Sequence, residues 1–200
     1  MSDGGNEKMD PELEDFAQQI AEAFESFLVA LQAMSREEEP GAVVSLLLIE
    51  LSQILFAGAR LGAQQDFQPS GEYQPDVGPD PDLDAMRLRF ARLLDSVDAY
   101  TYNFDPYAPV ITEGLLSDDL TSIATDLANG LRHYRAGNVT EALWWWQFSY
   151  VASWGNMASA SLRALQSVIA HDRLDADLDF SDEAEQIAAA DALDAGRATR

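Results

Sequence analysis

The chain has no cysteine, and that one absence removes disulfides, thiolate metal sites and cysteine nucleophiles together. Basic residues are also scarce. Twelve of them stand against 35 acids, for a formal net charge of −23, and Lys8 is the single lysine. A surface this poor in cations cannot grip a phosphate backbone, which argues against direct DNA or RNA binding, and it disfavours anionic membranes. The two histidines, His133 and His171, do not follow a glutamate at the Glu-x-x-His spacing of a carboxylate-bridged metal site. No metal or cofactor is expected. Gly-x-Ser-x-Gly, Gly-x-x-x-x-Gly-Lys and any convincing strand are missing too, so nucleophilic hydrolysis and phosphate-loop chemistry lack their sequence signatures. The chain leans toward a non-enzyme.

Met1 to Gly5 has neither a basic region nor an apolar stretch, so no secretory signal is visible. The longest apolar run, Ala42 to Ala59, is interrupted by Glu50 and Gln53 and reads as a buried core helix rather than a membrane span. A cytoplasmic location is the expectation. The acid excess would steer a basic partner, or a protein that normally holds DNA, toward this surface.

The apolar residues recur at helical spacing. Asp10-Pro11 is a helix start, with a capping side chain before proline at the first position, and Leu13, Phe16, Ile20, Phe24, Phe27 and Leu31 follow as one stripe. Ser35 and Glu38 have the spacing of a capping box for a second helix, apolar on nearly every face from Val43 to Phe56. Residues 63–81 read as a flexible acidic loop, whose Phe67 and Tyr73 could fold back as a lid. A third helix runs from Asp82 with a stripe reaching Tyr100, and an irregular connector spans Tyr102 to Gly114. Ser117-Asp118-Asp119 is placed to cap a fourth helix that Gly137 ends. Asn138 opens a fifth, antiparallel to the fourth and reaching about His171. The expected fold is all-α: one bundle of about five helices over residues 10–171, helices two and five central. A disordered leader (1–9) and an acidic, disordered tail (172–200) flank it.

All four tryptophans fall in the fifth helix, in Trp144-Trp145-Trp146-Gln147-Phe148-Ser149-Tyr150 and at Trp154. A helix turning roughly 100° per residue spreads these rings around almost its whole circumference. Such a helix is either the centre of a bundle or has one face in the core and another in a groove. Phe104-Asp105-Pro106-Tyr107, Ser117-Asp118-Asp119-Leu120, Ile123, Asp126-Leu127 and Gly130-Leu131 form a motif series with Tyr134, Gly137, Glu141-Ala142-Leu143-Trp144, Trp146, Phe148 and Trp154-Gly155. This series resembles a bacterial family of unknown function, the DUF5063 domain, in its actinobacterial form. The resemblance implies a helical bacterial domain and carries no activity over residue by residue. Its context implies a neighbourhood of recombination and repair genes.

Glu50 is the ionisable residue that stands out, because its helix is otherwise almost wholly apolar. A buried carboxylate must be paired, hydrogen-bonded or protonated, and Arg60, Arg132 and Arg135 are its candidate partners. The leading functional expectation is a protein–protein interaction or regulatory module. Its candidate surface comprises Trp144, Trp145 and Trp154 with Tyr102, Phe104, Asp105, Tyr107, Glu50 and Arg135. Alternatives are a small-molecule sensor or enzyme with a pocket walled by Trp145, Trp154 and Glu50, and an acidic mimic of DNA acting on a repair protein. A homodimer would also explain exposed aromatics.

Overall fold

Helix α1 (Pro11–Met34) starts as its sequence dictates: Asp10 accepts a hydrogen bond from the Glu12 amide at 3.0 Å, and Pro11 occupies the first turn. Ala17, Ile20, Phe24, Phe27 and Leu31 lie on one side of it, all without solvent contact. The computed structural model describes residues 10–69, 77–103 and 107–174. The expected leader and most of the expected tail lie outside these residues, as does Tyr73 of the 63–81 segment.

Helix α2 (Pro40–Gly62) begins without a side-chain cap. The expected capping box does not form, because Ser35 closes α1 instead, donating its hydroxyl to the Gln32 carbonyl oxygen at 3.0 Å. Val43, Leu47, Leu51, Ile54 and Leu61 of α2 are buried, but Leu46, Ile49 and Phe56 are 45%, 52% and 69% exposed. The central, enclosed position expected for this helix is therefore corrected. Apolar residues on every face do not reveal which face the other helices leave uncovered.

Helix α3 (Asp84–Leu94) follows Asp82, whose carboxylate accepts the Asp84 amide at 3.2 Å. It is shorter than its apolar stripe suggested. Asp95 takes a left-handed backbone (φ 41°), a short 3₁₀ turn follows, and Tyr100 belongs instead to strand β1 (Ala99–Tyr102). Strand β1 pairs antiparallel with β2 (Thr112–Leu115), Ala99 opposite Leu115 and Tyr102 opposite Thr112. The expectation of an irregular connector without strands is thus overturned for these residues. Strands of four residues are too short to show the alternation by which sequence reveals them.

Helix α4 (Leu116–Arg135) packs against α1, α3 and α5 (Val139–Ser149). Gly137 makes the left-handed turn between α4 and α5, at φ 84°. Asn138 makes no side-chain cap bond. A five-residue π turn (Tyr150–Trp154) joins α5 to α6 (Gly155–Leu174), so the expected fifth helix is one helical stretch with a wide turn inside it. The described residues are mostly helical, with one two-stranded sheet. Two compact units divide the chain, Met1–Leu165 and Gln166–Arg200. Of the second, the described part is the end of α6, with His171 and Arg173 in its last turn.

Candidate functional site

The aromatic helix has two faces with different work. Trp146 and Trp154 are wholly buried and meet the Phe24 ring edge-on, at centroid distances of 5.2 and 5.7 Å. The Trp146 indole N–H donates to the Leu127 carbonyl oxygen at 3.1 Å. The Trp154 indole nitrogen is buried without a partner. On the other side, Trp144 and Phe148 stack almost parallel, 5.3 Å apart and 4° from coplanar. Phe148 is 53% exposed and Val151, in the π turn, 68%. Trp145, half-buried between the faces, donates its N–H to the Asp126 carbonyl oxygen at 2.8 Å.

The π turn has a packing cause. Tyr150 fits a slot walled by glycines. A Cβ at Gly58 would sit 2.5 Å from its ring, one at Gly62 3.2 Å away, and one at Gly155 would collide with its backbone carbonyl oxygen. Gln147 fastens the same junction. Buried on α5, its amide donates to the carbonyl oxygens of Leu61 (2.9 Å) and Gln65 (3.3 Å) and accepts the Phe67 N–H at 3.0 Å. The Leu61 carbonyl oxygen also accepts the Gln64 N–H at 3.1 Å, while Gln65 and Phe67 lie in the segment after α2, which Gln147 ties to the bundle. Phe67 does fold back over the bundle, its ring stacked on Phe16 at 6.4 Å. Replacing Gln147 with leucine is expected to destabilise the protein by about 2 kcal/mol, the cost of orphaned buried polar groups. A urea titration checks the size, and faster hydrogen exchange at the Phe67 amide checks the place.

A second concave feature lies beside the hairpin, a cleft of about 700 Å³ lined by Tyr100, Glu113, Leu115, Asp118 and Asp119 among others. Asp98, buried just before β1, reaches the start of α4, where its carboxylate accepts the Ser117 amide and hydroxyl, each at 2.8 Å. The helix cap expected of Ser117-Asp118-Asp119 is supplied from outside the helix. Asp119 instead accepts the Tyr100 hydroxyl and, at 3.4 Å, the Ser161 hydroxyl. Burial raises the Asp119 pKa, partly offset by these two hydrogen bonds, and raises the Tyr100 phenol further with the Asp119 charge beside it. Arg87 pairs with Asp118 at 3.4 Å. Among the described residues, no group of three or more His, Asp or Glu side chains is placed to hold a metal ion.

Burial also raises the pKa of Asp126 and Glu50 and lowers that of His133, on which the Glu141 charge acts in the opposite sense. A carboxyl whose folded pKa lies above its unfolded value disfavours the fold when ionised, so stability rises as pH falls through the folded pKa. His133 works the other way, costing stability as pH falls below its unfolded value. Thermal melts from neutral pH down to the ordinary carboxyl range should show a stabilising component that Asp119→Asn diminishes. An identical pH profile in that variant would refute the assignment to Asp119.

The described residues among those named from sequence are spread over several elements. Glu50 is half-buried on α2, and its candidate arginines are engaged elsewhere. Arg60 bonds Gln19 and lies over the Phe16 ring, Arg132 bonds the Pro79 carbonyl oxygen, and Arg135 pairs with Glu25 at 2.6 Å. The cleft beside the hairpin, the groove along α2 that includes Ala23 and Phe56, and the cleft lined by Leu28, Met86 and Ala124 are not lined by Glu50, Trp145 or Trp154. Tyr102 stacks on Tyr100 at 5.5 Å, Tyr107 is 97% exposed, and Phe104 and Asp105 lie outside the described residues. Sequence reasoning missed Asp98, Tyr100 and Gln147, whose partners are 19 or more residues away and leave no local signal.

A family model described as a domain of unknown function (DUF5063) matches residues 11–171. No curated protein matches the chain. Among solved structures, protein BF1032 from Bacteroides fragilis is similar at a TM-score of 0.61 and 17% identity, over 74% of this chain and 89% of that one. At that identity the likeness is one of fold.

Proposed function

We propose that the chain, which belongs to the DUF5063 family, acts as a non-enzymatic interaction module that presents the outer face of its aromatic helix to a protein partner. The carrying observation is the parallel stack of half-buried Trp144 on exposed Phe148, next to exposed Val151, while Trp146 and Trp154 fill the core behind it. Flat rings braced from within lose little conformational freedom on binding, which is why such residues dominate interface energetics. The acids add steering. Glu12, Glu14, Asp15 and Glu22 on α1 and Glu37, Glu38 and Glu39 after it are all exposed, and would draw in a basic partner.

The test compares wild type with the Trp144→Ala/Phe148→Ala double variant as baits in the native bacterium's extract, at low and high salt. A stoichiometric partner held by wild type at both salts and lost by the variant is the expected result. Equal recovery on both baits would overturn this reading. A partner lost from wild type at high salt would move the contact to the acidic flank, toward a mimic of DNA.

A further inference from the structure

The outward residues of α2 repeat in a pattern that its burial in a core would not require. Ala42, Leu46, Ile49, Gln53, Phe56 and Arg60 are spaced alternately by four and three, the spacing of a coiled-coil seam. Ala42, Leu46, Ile49, Gln53 and Phe56 are exposed, and Arg60 is half-buried. On a chain of net charge −23, none of these six positions is an acid, and the half-buried Glu50 flanks them beside Leu46 and Gln53. One flank is built of small residues, Ser45, Ser52 and Ala59, which lets a second helix come close. The Ser52 hydroxyl already donates to the Leu48 carbonyl oxygen at 2.7 Å, so covering it costs no hydrogen bond. Between α1 and α2 the seam borders a groove of about 590 Å³, lined by Ala23, Ile49, Gln53 and Phe56, with room for an inserted side chain.

The ends of the helix say what fits. Among the described residues, Arg60, near its C-terminal end, bonds the neutral Gln19 and lies over the Phe16 ring, with no acid paired to it. Exposed Glu37, Glu38 and Glu39 precede its N-terminal end. A second α2 laid antiparallel brings each Arg60 toward the glutamates of the other copy and sets the two helix dipoles in the favourable sense. A generic basic partner would be drawn to the acids, not to this strip, whose six positions carry one charge, the cation of Arg60. We propose that α2 is a self-association face, pairing antiparallel with α2 of a second copy so that Leu46 of each lies opposite Phe56 of the other.

Sedimentation equilibrium of the full chain tests this. Twice the 22.0 kDa chain mass is expected. The association should tighten as salt rises toward about 1 M, because screening removes the repulsion between two acidic bodies while an apolar seam persists. Ile49→Lys should weaken it on the order of 100-fold, with a melting curve unchanged at concentrations where the wild type is also monomeric, since Ile49 is exposed in the monomer. Phe148→Lys, on the aromatic face, should leave it intact. The chain's lack of cysteine allows an orientation test: Leu46→Cys mixed with Phe56→Cys should form a mixed disulfide more readily than either alone. A monomer at about 100 μM, a dimer indifferent to Ile49→Lys, a dimer dissolved by Phe148→Lys, or homodisulfides outpacing the mixed one would each overturn the proposal. So would binding of the monomer to zwitterionic vesicles through this face.

Discussion

Gly130→Ala is expected to destabilise the protein by about 3 kcal/mol or more, at the upper end of what overpacking a core costs. The same change would ordinarily favour a helix interior by about 1 kcal/mol, through propensity alone. Packing reverses that sign here. A Cβ on Gly130 would fall inside the contact radius of the Trp146 indole nitrogen. The ring has nowhere to go: Trp146 has no solvent contact, its N–H is bound to Leu127, and Phe24 and Tyr134 lie against it. Gly41→Ala is the matched control, since nothing lies within 4 Å of an added Cβ there. That variant should gain a few tenths to about 1 kcal/mol. Equal and small effects at the two sites, measured by chemical denaturation, would show that the contact of Gly130 with Trp146 is not built as described.

Asp98→Ala should cost about 3 kcal/mol, from two separate losses. The first is a helix cap, worth about 1 and up to about 2 kcal/mol. Helix α4 has no other side-chain cap at its start. The second is the Ser117 hydroxyl, 1% exposed as a residue, which would be left buried without its acceptor. Asp98→Asn separates the two contributions. It keeps an oxygen for the Ser117 amide, and the serine hydroxyl can turn to accept from its N–H, so about 1 kcal/mol is expected, chiefly the charge lost at the helix N-terminus. The ranking Ala worse than Asn, read from urea midpoints, is the checkable result. An Asp98→Ala loss below about 1 kcal/mol would remove Asp98 as the organiser of this junction.

Both predictions concern residues whose role sequence does not announce. Gly130 is one helical glycine among several, and its function depends on an indole sixteen positions later. Asp98 lies 19 residues before the serine it serves. The hairpin that brings Tyr100 to Asp119 was illegible for a similar reason, because β-pairing is non-local and its strands are short. Helix α2 failed differently. Its residues were read correctly as apolar, but burial belongs to the neighbours as much as to the helix.

The sequence by itself determined what depends on neighbours three and four residues away. It set the helical class, the Asp10-Pro11 start and the left-handed Gly137 turn. These follow from propensity, capping and the 3.6-residue period, which act within a few turns. The DUF5063 family was legible as well, because it rests on aromatic spacing. Only the tertiary structure decided which rings face outward, which carboxylate meets Tyr100, and which side of α2 is left bare. Each of those depends on contacts between segments far apart in the chain, and a local pattern holds no record of them.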